Sequence, residues 1–427
     1  MPLIPRLTAE AKLTFGKSAF ALIGVQLAAY FGVLLHNGII ASLLSVAFLG
    51  QIAVILGYAS LLSAVFSLGW PQLILRDVAR NRNCEALHKV LLSQGLLVTL
   101  TGLGAMSLVG FCVTLALGVE VPNFVWLACL MSATTICVSL FAAVMEGNGH
   151  VLLSRCISGI LRPLIIILVV VLMSVAGVTA HMTGYFIAQG AYLVLFVVIA
   201  LSLGARVIVR IDPGTSPQWR ANLSAENIQV LTISGFNVLI LATDVLVLQL
   251  FEPLSVVGNY SIVVSMMSLV AIGMGAVNSL FLPSYGHAAS RNDWPAAREM
   301  FATSRRISSI WSTVAVSVVA LATVFAAPVF GITPDFHAAP VIVFFLGLGQ
   351  VINAVTGPNT NSLFVEGKTF FIAVSLGIAA LMNVLGNFLF VPWLGAVGAA
   401  LSTGVFVSLV HVLQFAYARR TSVIHNA

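Results

Sequence analysis

The chain has 427 residues, of which 60% are hydrophobic and only 7% are charged. Soluble domains carry roughly 25% charged residues because their surfaces face water, so this composition excludes a soluble globular protein. The net charge of +6 is then a property of membrane-flanking loops, and we expect no nucleic-acid partner.

Apolar runs of membrane-spanning length follow one another along the chain. A helix needs about 20 residues to cross about 30 Å of hydrocarbon, and only a helix satisfies its own backbone there. In chain order the predicted spans lie near 15–37, 47–70, 90–117, 123–145, 157–178, 182–203, 226–250, 257–281, 306–329, 340–364, 369–391 and 394–417. The first run is longer than a signal-peptide core, which predicts that it is retained.

The basic residues test this count. With the N-terminus inside, all 19 Lys and Arg residues fall on the cytoplasmic side, as the positive-inside rule requires. The predicted external loops carry Glu120, Glu252 and Asp335 but no basic residue. The sequence therefore predicts a multi-pass protein with both termini in the cytoplasm.

Three paired motifs indicate an internal repeat. They are SLGWPQLILRDVARNR at 67–82 with SLFLPSYGHAASRND at 279–293, Glu146-Gly147 with Glu366-Gly367, and Gly50-Gln51 with Gly258-Asn259. Each half has six spans, so both halves enter from the cytoplasm and are related by an axis along the membrane normal. We predict an all-α fold with six-helix lobes at 1–203 and 225–427, a cytoplasmic linker at 204–224 and a central cleft. Rocking of such lobes gives alternating access.

Asp244 is the carboxylate that lies well inside a predicted span, in LILATDVLVL. Ionisable groups in the membrane are costly and mark pathways or partner helices. Two interpretations stay open: a substrate or proton site facing the cleft, and a helix-packing hydrogen bond.

Three basic residues are candidates for binding an anionic group. Arg162, in ILRPL, either reaches the headgroups or binds phosphate through its planar guanidinium. Lys17 lies at the mouth of the first span. Arg76 is the member nearest the membrane of a basic cluster after Pro71, which otherwise indicates topology and contact with anionic lipid.

Amide side chains recur inside the predicted spans. Asn383 and Asn387 share one helix face at i and i+4, and Asn237 and Asn353 lie in other spans. Such groups form interhelical hydrogen bonds or bind sugar hydroxyls. Gly357-Pro358 predicts a bend in the tenth span.

Catalytic motifs are lacking. The sequence has no Gly-x-x-x-x-Gly-Lys-Ser/Thr loop and no Ser-His-Asp or metal-ligand constellation. We therefore expect a transporter rather than an enzyme, with no resident cofactor and with coupling to a proton or sodium gradient left open.

Three segments resemble a known superfamily. They are FLGQIAVILGYASLLSAVFSLGWPQLILRDVARNRN at 48–83, ATDVLVLQLFEPLSVVGNYSIV at 242–263 and LMNVLGNFLFVPWLGAVGAALSTG at 381–404. Together they resemble the multidrug/oligosaccharidyl-lipid/polysaccharide flippase superfamily, especially its polysaccharide-transporter (Wzx-like) branch.

The resemblance implies a MATE-like architecture in the bacterial cytoplasmic membrane. It also implies that an undecaprenyl-pyrophosphate-linked oligosaccharide is flipped for O-antigen or exopolysaccharide assembly. Lys17, Arg76 and Arg162 would meet the pyrophosphate, and Asp244 looks like the acidic residue often found in this span. The implied partners are the lipid-linked oligosaccharide, membrane lipids, and a polysaccharide polymerase with other assembly proteins.

Two alternatives remain. A cation-coupled multidrug exporter of the same superfamily would need a cation site, for which Asp244 is the candidate. A membrane glycan polymerase or ligase would use a large charged external loop, whereas the external loops predicted here are short and free of Lys and Arg.

Overall fold

The structure, a computed structural model, describes residues 9–67, 69–80, 104, 123–177, 181–207 and 225–422. In chain order the helices are α1 (Ala9–Leu43), α2 (Val46–Ser67), α3 (Trp70–Arg80), α4 (Asn123–Gly147), α5 (Val151–Arg155), α6 (Arg162–Val175), α7 (His181–Val207), α8 (Ala225–Phe251), α9 (Leu254–Ser290), α10 (Trp294–Phe325), α11 (Ala339–Thr356), α12 (Asn359–Val365) and α13 (Thr369–Thr421). A π-helical turn at Cys156–Leu161 joins α5 to α6.

The all-α membrane fold predicted from composition is confirmed. Within the described residues, nine helices are long and apolar enough to cross a membrane. The predicted third span at 90–117 lies outside the described residues apart from residue 104, and so does most of the predicted linker at 204–224. The last two predicted spans are the two arms of α13, so the count of twelve is not read directly from these helices.

The burial pattern differs from that in a water-soluble bundle. Large apolar side chains face outward, with Leu241 74% and Trp393 85% exposed. Polar side chains such as Asn383 and Gln414 are fully buried. Moving a leucine side chain from lipid into a helix interface gains little free energy, because lipid tails are equally apolar. Close packing of small side chains and hydrogen bonds between polar ones therefore stabilise contacts between membrane helices.

Two helices are interrupted at a glycine that lies close to a proline in the sequence. Gly357 has a φ of 91° and ends α11 two residues before α12 begins, so the predicted bend at Gly357-Pro358 is a complete break. In α13, Gly395 adopts φ 54° and ψ −132° three residues after Pro392. A side chain is strained at such a φ, and the chain reverses there between two membrane-length arms.

The chain divides into two compact units, residues 1–51 with 239–427, and residues 52–238. In the first unit α9 packs against α1, α10 and α11, and α11 packs against α13. In the second, α3 packs on α4 through Ile74 and Val78, so the segment that carries Pro71 and Arg76 is a helix. The predicted lobes at 1–203 and 225–427 stay a prediction.

The paired glycines of the repeat motif meet in the first unit, where α2 crosses α9. A Cβ on Gly50 would overlap the carbonyl oxygen of Leu254, and one on Gly258 would overlap the carbonyl oxygen of Val46. The obstacles are backbone atoms, which cannot move without separating the helices. Both positions therefore require glycine for close helix contact.

Candidate functional site

A polar cluster surrounds Asp244 on α8, inside the first unit. The carboxylate belongs to a residue that is 5% exposed within the apolar segment Thr232–Phe251. Tyr260 on α9 donates its hydroxyl to Asp244 Oδ2 at 2.6 Å. Thr403 donates to Oδ1 at 2.6 Å, and Asn387 Nδ2 donates to the same oxygen at 3.1 Å. One carboxylate thus holds three helices together.

The two arms of α13 supply the rest of the cluster. Asn383 donates to Thr403 Oγ1 at 2.7 Å, and Ser402 donates to the backbone oxygen of Asn383 at 3.0 Å. Asn387 also donates to that oxygen at 2.9 Å. The reversal at Gly395 places residues 383–387 of one arm opposite residues 402–403 of the other, so the Asn pair predicted to share a face does so.

The hydrogen-bond directions suit an ionised Asp244. The three donors converge on two oxygens, and an ionised carboxylate only accepts. Asn387 Oδ1 is buried and has no hydrogen-bond partner in the described structure. The cluster therefore combines a negative charge with an unused oxygen acceptor, which is the chemistry that a small hard cation or a proton requires.

A second polar site lies in the other unit, around Arg162. Pro163 has no N–H, and its ring crowds the carbonyl four residues earlier. The backbone widens into the π-helical turn Cys156–Leu161 directly before Arg162. The additional residue in a π turn rotates the following side chains by about 100° from their α-helical positions. Such turns are frequent at functional sites.

The side chain of Arg162 lines a cavity of about 450 Å³ with Ser139, Ser158 and Tyr192. Tyr192 is 1% exposed, and neither its hydroxyl nor Arg162 Nη2 has a hydrogen-bond partner in the described residues. Glu146 also lines the cavity but pairs with Arg155 at 3.1 Å. The guanidinium thus presents unused donors, which favour a carboxylate or phosphate.

The remaining predicted site residues lie elsewhere. Asn237 is exposed and donates to the backbone oxygen of Ile233 at 2.9 Å, and Asn353 is half-buried on α11. Neither contacts Asp244 through a described hydrogen bond. Lys17 and Arg76 lie on α1 and α3, but their side chains are outside the described residues.

Sequence reasoning missed Tyr260 and Thr403 as partners of Asp244. It also missed Ser402 as a partner of Asn383 and Asn387. Hydroxyl groups inside spans usually bond their own helix, as Ser408 does to Gly404, so they carry no distinctive pattern. Tyr192 was missed because tyrosine is an ordinary buried residue. The sequence did carry one signal, the Ser402-Thr403 pair, which follows the Pro-x-x-Gly-x-x-Gly segment at 392–398 after three residues.

No protein-family model matches the chain, and no curated protein matches its sequence. The fold, however, is that of solved MATE transporters of the MOP superfamily. A MATE protein in complex with MaD5 has a TM-score of 0.66 at 14% identity, covering 96% of each chain. An outward-facing multidrug resistance MATE family transporter has a TM-score of 0.63 at 15% identity, covering 96% of this chain and 97% of that one.

A third solved structure has the same fold but a different pocket. It is a MOP superfamily transporter from Pyrococcus furiosus, described as having a binding pocket of reverse polarity that suggests a different function. Its TM-score is 0.60 at 14% identity, covering 94% of this chain and 95% of that one. These likenesses establish a MATE-like fold for the chain. They do not single out the polysaccharide branch.

Proposed function

We propose that the chain is a cation-coupled exporter of amphiphilic compounds, working by alternating access in a membrane. The buried Asp244 cluster carries the proposal, because an ionisable residue inside a spanning helix marks an ion or substrate pathway. The MATE fold supports it, since solved proteins with that fold include multidrug resistance transporters. The sequence alone favoured this function less than the oligosaccharide flippase.

The cluster suggests how a cation is coupled to helix movement. Tyr260, Thr403 and Asn387 occupy three of the roughly four lone-pair sites of the Asp244 carboxylate, so a site on Oδ2 is left for a proton or sodium ion. A sodium ion needs further oxygen ligands, and rotation of the Asn387 amide away from Asp244 would present its unused Oδ1. Because these donors sit on α9 and α13, ion binding changes the bonds between helices. A ligand with different affinities for two arrangements shifts their populations.

The test is dye transport by purified full-length protein in proteoliposomes, with ethidium as the probe. An imposed sodium or proton gradient should drive ethidium movement, and running each gradient alone identifies the ion. Asp244→Asn keeps the side-chain shape but removes the charge, so gradient-driven transport should fall at least tenfold. Asp335→Asn, in an exposed turn, is the matched control and should transport normally. Undiminished transport by Asp244→Asn would remove the basis of the proposal.

A second candidate is the lipid-linked oligosaccharide flippase implied by the sequence resemblance. The Arg162 cavity favours it, because a guanidinium whose Nη2 has no hydrogen-bond partner among the described residues, beside two serines and a tyrosine, suits a phosphate. In this case the substrate is an undecaprenyl-pyrophosphate-linked oligosaccharide, and a polysaccharide polymerase would receive the product.

One translocation assay distinguishes the flippase from the exporter. Translocation of a fluorescent undecaprenyl-pyrophosphate oligosaccharide should be lost in Arg162→Gln and reduced in Arg162→Lys, which keeps the charge but not the two-pronged geometry. Arg155→Gln is the control, because Arg155 lines the same cavity but is paired with Glu146. Translocation that does not depend on Arg162, or none at all, leaves the exporter as the better reading.

A further inference from the structure

A groove at the beginning of α10 has the charge and position of a lipid-headgroup site. Its volume is about 430 Å³, and three arginines line it: Arg298, Arg305 and Arg306. Among the described lining residues there is no acidic side chain. Arg298 and Arg305 stand seven residues apart, so they share one face of the helix. A site of this kind attracts an anion.

The groove has a fixed apolar floor. Phe301 is 5% exposed and packs in a cluster with Phe281 and Tyr285. Ser309 donates to the backbone oxygen of Ala354 at 3.2 Å, which ties α10 to the last turn of α11. This hydrogen bond holds the two sides of the groove together, so the space between the two helices is a formed site.

The groove lies at the expected boundary of the hydrocarbon. From Ile307 onward, α10 exposes a stripe of apolar side chains along one face. The stripe comprises Ile307, Ile310, Val314, Val318 and Leu321, which are 40–58% exposed. About 20 residues cross the hydrocarbon, and counting back that distance from the end of α10 at Phe325 reaches Arg306. The arginines thus stand at headgroup level, directly beside lipid-facing side chains.

We propose that this groove binds the headgroup phosphate of an anionic phospholipid. The guanidinium groups of Arg305 and Arg306 donate to the phosphate oxygens, while Phe301 and the exposed Val355 contact the glycerol and the first acyl carbons. A zwitterionic headgroup carries its own cation and gains less from Arg305 and Arg306. A free phosphate lacks the acyl chain that lies along the stripe from Ile310.

The test measures lipid binding to delipidated full-length protein by native mass spectrometry, with phosphatidylglycerol and phosphatidylcholine as probes. The double variant Arg305→Gln/Arg306→Gln should weaken phosphatidylglycerol binding about thirtyfold. Each basic residue near an anionic lipid surface strengthens binding about fivefold, and the variant removes two of them. Arg419→Gln/Arg420→Gln is the matched control. It removes an adjacent arginine pair from the last turn of α13 and should leave the affinity nearly unchanged.

Three results would overturn the proposal. They are unchanged affinity in the double variant, an equal loss in the control variant, and phosphatidylcholine binding as tight as phosphatidylglycerol. A measurement on the unaltered protein guards against misfolding of the variant. Photoactivatable phosphatidylglycerol should label the segment 298–309, and labelling confined to other segments would equally exclude the site. The exporter and flippase proposals do not depend on either outcome.

Discussion

At the residue scale, the two oxygens of Asp244 are unequally supported. Oδ1 accepts from both Thr403 and Asn387, whereas Oδ2 accepts from Tyr260. Tyr260 is fully buried, so water cannot replace its hydroxyl easily. Loss of that one donor would leave a buried anionic oxygen short of its closest partner, which costs more than losing a hydrogen bond between neutral groups.

We therefore expect Tyr260→Phe to be more destabilising than Tyr30→Phe. Tyr30 is also buried but donates to a neutral acceptor, the backbone oxygen of Met266, at 3.2 Å. The free energy of unfolding should fall by about 1.5–3 kcal/mol for Tyr260→Phe and about 0.5–1.5 kcal/mol for Tyr30→Phe. Reversible unfolding in mixed micelles measures both values. Equal losses would mean that Asp244 draws no special stabilisation from the tyrosine.

At the element scale, close approach of helices decides which glycines are indispensable. Gly50 and Gly258 are each other's neighbours where α2 crosses α9, and the atoms that an added methyl would strike belong to the backbone. Gly275 lies further along the same α9 with nothing within 4 Å of the equivalent position. The same substitution thus has opposite consequences at two points of one helix.

Alanine at these positions should separate the two effects. Gly50→Ala and Gly258→Ala should each lower the free energy of unfolding by about 1–3 kcal/mol, as overpacking does. Gly275→Ala should raise it by up to about 1 kcal/mol, because alanine favours the helix. Unfolding in mixed micelles compares all three. A stabilised Gly50→Ala variant would show that the crossing is looser than the structure has it.

Many of the helices, and the positions of the paired glycines, could be predicted from the sequence. Hydrophobic length predicted the helices, and the Gly50-Gln51 and Gly258-Asn259 pair marked a repeated position without revealing that the two glycines touch. The π turn before Arg162 was not predictable, because Pro163 signals a disturbed helix but not which way the backbone relaxes. Tyr260 was unpredictable for a similar reason: its partner is 16 residues away on another helix.

At the scale of the whole molecule, the glutamates of the two predicted Glu-Gly repeat motifs are both ion-paired. In one unit Glu146 pairs with Arg155 at 3.1 Å, with side chains 14% and 49% exposed. In the other, Glu366 pairs with Lys368 at 2.6 Å, with side chains 7% and 22% exposed. Glu366 also accepts from Tyr285 at 3.0 Å and from Ser422, so it joins α9 to both ends of α13.

Glu366 should contribute more to the free energy of unfolding than Glu146. Glu366→Gln leaves Lys368 largely buried without a carboxylate, and we expect the free energy of unfolding to fall by roughly 3 kcal/mol. Glu146→Gln leaves a half-exposed arginine, and the loss should be about 1 kcal/mol or less. Denaturation of the two variants under identical conditions provides the comparison. A larger loss for Glu146→Gln would contradict the difference in burial.

The first compact unit is built from residues 1–51 and 239–427. Its first segment is therefore synthesised well before the second. Tyr30 bonds the backbone of Met266, 236 residues later, and Asn37 bonds Ser265, 228 residues later. At about 5–20 residues per second, α1 waits roughly 10 to 50 s for these partners to leave the ribosome. During that interval Ser265 has not yet been synthesised, so the Asn37 amide lacks this hydrogen-bond partner. Lipid cannot replace it, because hydrocarbon accepts no hydrogen bond. We therefore expect α1 to reach its final packing only after α9 has been synthesised.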